Sequence, residues 1–172
     1  YDISFAEPFL NGKDLYFRTD LYNSQSDSAS VNYKTTQTGV GFELGFPLAV
    51  DKRLNTRYSL YSVKTDPDSN ATDYERSLSG TSTISAIGHT YTLDRRNSSY
   101  RPSRGYKLTI DQDLAGVGGD SKYIKDIIKY NHYKRLSKSF VGAFKLNFGN
   151  INGFDGKYAP LSSYFKLGGK KL

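Results

Sequence analysis

The sequence predicts an all-β protein, folded as an antiparallel up-and-down meander of about eight strands. The first observation is an alternation of apolar and polar side chains, clearest in residues 106–114, which is typical of a strand with unlike faces. The second is the turn before this segment, where Pro102 presets φ and Gly105 tolerates a positive φ. The third is that no stretch sustains the i, i+3, i+4 apolar spacing of a helix, so no helix is predicted.

The eight strands belong to one predicted domain, residues 1–172. The first ends at Pro8 and the turn Asn11-Gly12, and a Ser- and Asp-rich loop follows the second. A long polar loop, residues 65–80, follows the fourth. The fifth and sixth form the hairpin around Pro102, a Gly-rich turn precedes the seventh, and a basic turn precedes the eighth. The predicted strands are about residues 1–7, 14–22, 36–48, 54–64, 82–93, 104–114, 122–134 and 139–149, and residues 150–172 begin a long extracellular loop.

Alternation alone leaves open which medium the apolar face meets, because a soluble barrel hides that face inside and a membrane barrel shows it to lipid. Charged residues on the polar face suit a wet lumen, and several segments have the length of a tilted membrane strand. These features favour part of a transmembrane β-barrel; a soluble eight-stranded barrel holding an apolar ligand is the alternative.

The two faces give two sets of candidate residues. Predicted to face lipid are Leu15, Phe17, Leu21, Val40, Phe42, Leu44, Phe46, Tyr106, Leu108, Ile110, Leu114, Phe140, Phe144, Leu146 and Phe148. Predicted to face the lumen are Glu43, Lys107, Asp111, Asp113 and Lys145. Tyrosines near strand ends are expected to form an aromatic girdle at the membrane surface; they are Tyr22, Tyr33, Tyr106, Tyr123 and Tyr133.

The composition restricts the class of protein further. The chain carries a net charge of +7 and has no cysteine, which excludes a disulfide framework and any cysteine ligand or nucleophile. Its apolar runs are too short for a transmembrane helix. Residues 1–5 already alternate like a strand, so we expect a chain that begins inside a fold, without a signal peptide.

Charge divides the connections between strands into two groups that alternate along the chain. In a meander, alternate connections lie at the same end, so one end is predicted to be basic with short turns and the other acidic with longer loops. The basic rim consists of Lys13, Lys52, Arg53, Arg95, Arg96, Arg101, Arg104, Lys134, Arg135 and Lys138. The acidic rim consists of Asp27, Asp66, Asp68, Asp73, Glu75, Asp120 and Asp155.

Candidate chemical motifs are weak. His89 and His132 lie on separate strands without a nucleophile pattern, and Asp111 with Asp113 offers too few oxygens for a hard cation. The glycine-rich residues 116–122 have the wrong spacing for a phosphate loop. The basic turns lack the interleaved aromatic residues of a nucleic-acid platform. We therefore expect no enzyme, no cofactor, no metal and no nucleic-acid partner.

Five ordered segments resemble motifs of the BamA-type outer-membrane β-barrel assembly factors. Residues 7–10 (EPFL) resemble that family's NPYF turn, and residues 45–48 (GFPL) its GFPI strand end. Residues 93–105 are similar to its LDR…P..G hairpin, and residues 119–125 to the following loop and strand. Residues 164–169 (YFKLGG) resemble the FYAGG segment, which ends in Gly168 and Gly169 and leads into the family's Arg-Gly-Phe or Arg-Gly-Tyr tip.

The resemblance implies strands four to eleven of a sixteen-stranded barrel in the bacterial outer membrane, and a role in folding and inserting other outer-membrane proteins. The barrels of two-partner secretion share this plan and stay an alternative. The implied partners are outer-membrane lipid, unfolded outer-membrane proteins, periplasmic polypeptide-transport-associated domains and assembly lipoproteins. The basic rim would face the periplasm, where the expected contacts with partner domains or lipid phosphates are Arg53, Arg95, Arg96, Arg101, Arg104 and Arg135. The two edge strands are expected to pair with each other or with another copy of the chain.

Overall fold

The computed structural model describes residues 1–27, 32–77, 79–157, 159–160 and 163–164. It contains one antiparallel sheet of eight strands whose spatial order follows their order in the chain, which confirms the predicted meander. The strands are β1 (Asp2–Glu7), β2 (Tyr16–Asp27), β3 (Tyr33–Ala49), β4 (Lys52–Pro67), β5 (Gly80–Asp94), β6 (Gly105–Gly119), β7 (Tyr123–Arg135) and β8 (Val141–Gly153). A 3-10 turn, Leu10–Gly12, follows β1, and a short helix, α1 (Asp73–Ser77), lies between β4 and β5.

Several strands continue beyond their predicted ends at the acidic rim. The second was predicted to stop at residue 22, but β2 runs to Asp27, where polar residues such as Ser24 and Ser26 pair with β3. Residues 150–153 were assigned to a loop and instead complete β8. Backbone pairing does not require apolar side chains, so alternation marks only the part of a strand with unlike faces.

The prediction that the chain contains no helix is wrong at residues 73–77. One helical turn forms there, supported by a backbone hydrogen bond of 2.9 Å from Arg76 N to Thr72 O. A five-residue helix is shorter than the window in which helical periodicity can be recognised. Two residues predicted to lie within strands, Leu15 and Phe140, immediately precede β2 and β8.

The register sorts side chains into two faces, because directly paired residues of antiparallel strands point to the same side. One row joins Glu43, Arg57, Gly88, Asp113 and Lys125 across β3 to β7, and defines the inner wall. The adjacent row is largely apolar and defines the outer face; it contains Phe42, Tyr58, Ile87, Leu114 and Ile124.

The buried core belongs to the inner wall, not to the outer face. A cluster with near-zero exposure lies toward the acidic rim and includes Val63, Ile84 and Tyr123, joined by Ala159 from beyond β8. On the outer face, Phe42 is 44% exposed and Phe144 is 59% exposed. A soluble barrel would bury those side chains, so this alternative is not favoured.

The two edge strands do not pair with each other: β1 pairs only with β2, and β8 only with β7. This part of the expectation about the edges is wrong. A closed barrel of eight strands has an interior just wide enough for side chains. Here the inner wall carries Arg57, Tyr61 and Tyr123, and Ala159 packs against it.

In the part of the chain that the structure describes, no helix has the length and apolarity needed to cross a membrane.

Adjacent positions on β6 test the assignment of the faces. The chain has no tryptophan, so a single introduced tryptophan can be observed without background. Ile110 lies on the outer face, and its neighbour Thr109 on the inner wall. In vesicles, we expect brominated phospholipids to quench the fluorescence of Ile110→Trp strongly, while iodide quenches Thr109→Trp more.

Equal quenching of both variants by brominated lipid would contradict the two-faced sheet. The reverse pattern would place the apolar face in the interior.

Candidate functional site

The inner wall is held together by a polar cluster centred on Arg57 of β4. Its guanidinium donates to Asp113 of β6 from Nε (2.9 Å) and Nη2 (2.6 Å), and to Thr90 of β5 from Nη1 (2.7 Å). Nη1 also lies 2.8 Å from Asp111, which accepts a 2.5 Å hydrogen bond from Thr90. These charged side chains are about one-quarter exposed, so the pairing is shielded from water more than a surface ion pair.

Gly88 makes this cluster possible. It lies on β5 directly between Arg57 and Asp113, which belong to strands that are not neighbours. A Cβ atom at residue 88 would lie 2.1 Å from Asp113 Oδ1 and 2.8 Å from Arg57 Nε. The missing side chain therefore opens the path along which Arg57 crosses β5.

The lumen-facing residues predicted from sequence share this wall. The register places Glu43 beside Arg57, and connects Lys107 of β6 with Lys145 of β8 through Asn131. That the wall lines a lumen stays a prediction. The two aspartates of this wall, Asp111 and Asp113, both form ion pairs with Arg57.

Sequence reasoning missed Arg57 because β4 shows indistinct faces and its partners lie more than thirty residues away. The signal present in the sequence was the glycine in the interior of β5, at residue 88. Arg57 also argues against a metal ion at Asp111 and Asp113, because its guanidinium binds the carboxylate oxygens that a cation would need. The described residues contain no group of three or more His, Asp or Glu placed to hold a metal ion.

At the acidic rim, the inner wall holds residues that follow β8. The hydroxyls of Tyr61 and Tyr123 lie 3.3 Å apart, and Tyr123 is 3.2 Å from Ser163 Oγ. Lys125 Nζ donates to the backbone oxygen of Ser163 at 2.8 Å. Residues 159–164 therefore return against the sheet where they are described, while Gly168 and Gly169 lie outside the described residues.

The predicted aromatic girdle is wrong for most of its members. Tyr22, Tyr33, Tyr123 and Tyr133 lie on the inner wall by register, because polar strand ends admit tyrosine on either face. Tyr106 does lie on the outer face near the basic rim.

The outer face carries aromatic and polar residues among its apolar ones. Tyr106 lies with its ring centroid 5.9 Å from that of Tyr130, which stacks on His132 and shares a 3.3 Å hydrogen bond with it. Farther from the basic rim, Gln112 donates to Asp126 at 2.6 Å. His89 is the direct strand partner of Gln112, so both histidines belong to this face.

The basic rim is partly neutralised from within. Arg95 donates a hydrogen bond of 2.7 Å to Asp51, which links the β5–β6 connection to the β3–β4 turn. The guanidinium of Arg96 donates two hydrogen bonds to the carboxylate of Asp94. The hydrogen bond from Arg95 holds the pKa of the Asp51 carboxyl below its ordinary value near 3.8. By contrast, Arg53, Arg101 and Arg104 form no ion pair with any described residue.

The two rims do not differ in connection length as predicted. At the basic rim, the connection between β5 and β6 spans residues 95–104, while at the acidic rim β6 and β7 are joined by residues 120–122. The long basic connection is ordered by Asn97, whose Oδ1 accepts hydrogen bonds from the backbone N–H groups of Ser103 and Arg104.

An open antiparallel sheet with an exposed apolar outer face and an ion-paired inner wall is the architecture of a membrane β-barrel wall. The chain belongs to the Omp85 superfamily: the model of the Omp85 superfamily domain matches residues 1–172.

Relatives include the Outer membrane protein assembly factor BamA of Neorickettsia risticii, 27% identical over 86% of this chain and 20% of that protein. The Sorting and assembly machinery component 50 homolog of Xenopus tropicalis is 28% identical over 98% of this chain and 36% of its own length. The crystal structure of BamA from Haemophilus ducreyi lacking POTRA domains 1–3 superposes with a TM-score of 0.87 at 20% identity. It covers 99% of this chain and 36% of that one, and shows the shared fold. The chain thus spans between 20% and 36% of these proteins.

The role of Gly88 can be tested by substitution. Gly88→Ala should displace the Arg57–Asp113 pair and lower the free energy of unfolding by about 1–3 kcal/mol, because shielded polar groups lose partners. Denaturant unfolding in detergent micelles measures the change. Gly41→Ala is the matched control, since a Cβ there meets only Asp20, at 3.8 Å or more. We expect its effect within about 0.5 kcal/mol, and equal losses in both variants would contradict the inferred role.

The Arg95–Asp51 tie predicts a pH dependence. Because the folded-state pKa of Asp51 is depressed, its ionised form stabilises the fold above the unfolded pKa near 3.8, and this stabilisation disappears as pH falls through the folded pKa. A carboxyl NMR titration should find the Asp51 midpoint below 3.8, rising in Arg95→Gln. Arg101→Gln, in the same connection, should leave the midpoint in place. A midpoint that does not respond to Arg95→Gln would disprove the tie.

Proposed function

We propose that this chain forms wall and turns of an outer-membrane β-barrel assembly factor, a protein that folds and inserts other β-barrel proteins. The observation that carries the proposal is the match of one superfamily domain to the whole chain, in relatives whose names state assembly. None of the relatives described above carries the name of an enzyme.

The proposed function depends on backbone pairing between strands, the same interaction that holds this sheet together. The outward side of β1 and of β8 presents backbone N–H and C=O groups that no strand of the described sheet satisfies. In hydrocarbon, each unsatisfied group is costly, so both edges require neighbouring strands. In the proposed barrel these are its own further strands, and a client protein is templated by the same edge pairing at the seam of the wall. This chemistry needs backbone groups and lipid, and no nucleotide.

The proposed location is the bacterial outer membrane. The name of the BamA relative from Neorickettsia risticii states an outer membrane protein. In the bacterial setting, the basic rim faces the periplasm and contacts polypeptide-transport-associated domains or assembly lipoproteins. Arg53 and Arg101 suit such contacts best, since neither is neutralised by an ion pair within the described chain.

Reconstitution tests the proposal. The protein as its host expresses it, placed in phospholipid vesicles, should speed the folding of a urea-unfolded outer-membrane protein well above the rate in empty vesicles. Heat-modifiable migration on a gel follows the client's folding. Ion conductance of the same vesicles is measured in parallel, with a porin as the matched barrel control.

Conductance without any acceleration of folding would identify a pore or secretion barrel and overturn the proposal. If the porin accelerated folding of the client equally, the acceleration would be explained by nonspecific perturbation of the bilayer.

A further inference from the structure

We propose that the basic rim contains a binding site for the headgroup of an anionic phospholipid, in a notch between the β5–β6 and β7–β8 connections. The notch is lined by Arg104, Tyr133, Lys134, Arg135, Leu136 and Ser137. The inference goes beyond assembly activity and depends only on the sheet standing in a membrane.

The charge of the notch is uncompensated. Three of its lining residues are cationic, none is acidic, and none of the three cations forms an ion pair with a described residue. Arg135 makes a single hydrogen bond of 3.2 Å, to Ser103 Oγ, and all three cations are exposed. Like charges brought together by the fold repel one another, and an anion between them relieves that repulsion. Elsewhere on the same rim, Arg95 and Arg96 already have carboxylate partners.

The notch lies at the end of β7 and reaches the outer face of the sheet through Lys134 and Leu136, while Tyr133 belongs to the inner wall. Lys134 follows His132 on the outer face of β7 and is the direct partner of Gly142 on β8. Leu136 lies over that glycine, with its Cδ1 only 3.3 Å from where a Cβ at residue 142 would be, and is 68% exposed. An apolar side chain therefore lines the outer margin of a cationic notch.

Apolar and aromatic surface continues from the notch along the outer face. The next residue pair above it is Tyr106 with His132, followed by Tyr130 and the exposed side chains of Phe144 and Leu146. Aromatic rings mark the level of the headgroups in membrane proteins. A phosphate held by Arg104 and Lys134 would thus leave its acyl chains against Phe144 and Leu146.

This continuity favours a lipid over an acidic segment of a soluble protein. A soluble partner would meet charge without needing the apolar strip beside it, whereas a phospholipid matches both. Each basic residue near an anionic membrane surface contributes about a five-fold attraction.

The test compares the chain with two variants in phosphatidylcholine vesicles containing trace spin-labelled phosphatidylglycerol. In one variant, Arg104→Gln and Lys134→Gln remove two charges from the notch. In the matched control, Lys13→Gln and Lys52→Gln remove two charges from the same rim, outside the notch. Arg135 is retained because it also supports Ser103. Circular dichroism and heat-modifiable gel migration verify that both variants fold.

The fraction of motionally restricted label reports lipid held by the protein. We expect the wild-type chain and the control to prefer phosphatidylglycerol over phosphatidylcholine several-fold, and the notch variant to lose that preference, so that its selectivity ratio falls to about one. Inorganic phosphate at equal concentration should not displace the lipid.

Three results overturn the proposal. Unchanged lipid selectivity in the notch variant would show that the notch does not bind the lipid headgroup, and would favour an acidic partner protein as its ligand. Equal losses of lipid selectivity in both variants would show that the preference depends on the overall charge of the rim and not on the notch. Displacement by inorganic phosphate would identify a site for free phosphate.

Discussion

Backbone pairing between neighbouring strands, in a fixed register, is the constraint on which the rest of this structure depends. Because side chains alternate along each strand, a slip of one residue would send every outer side chain inward. Register is what places Phe42 beside Tyr58 and Glu43 beside Arg57, so that apolar and charged residues one position apart meet different media. The same pairing leaves β1 and β8 open, which ties the chain to further strands.

The inner wall shows how a polar surface can also be cohesive. Arg57 reaches across a glycine to bind carboxylates two strands away, which links three strands through side chains as well as through backbone. Near the acidic rim, a small apolar and tyrosine cluster replaces these charges and receives residues from beyond β8. The wall therefore combines an ion-paired zone with a packed zone, and neither resembles the exposed outer face.

The sequence was sufficient for the elements in which one face differs from the other. Alternation around Phe42, Ile110 and Phe144 was enough to predict the strands, their order in the sheet and the residues of the outer face. Alternation could not find the Arg57 cluster, because its partners meet through register and not through local spacing. It also could not assign a face to Tyr33 and Tyr133, because both chain neighbours of each are polar. Helix α1 is too short for any period, and its formation depends on local hydrogen bonds such as that of Arg76 with Thr72.

The unequal lengths of the strands have a further consequence for the shape of the protein at the membrane. β7 and β8 have thirteen residues each, whereas β3 has seventeen. At about 3.3 Å per residue, β3 is roughly 55 Å long, more than a tilted strand needs to cross an apolar band about 25 Å tall. Its polar portion, from Tyr33 to Thr38, would then project past the headgroups together with the ends of β2 and β4. In the proposed orientation, antibodies, proteases and other reagents that never enter the bilayer could reach this raised margin, and a change of sequence there would leave the embedded wall undisturbed.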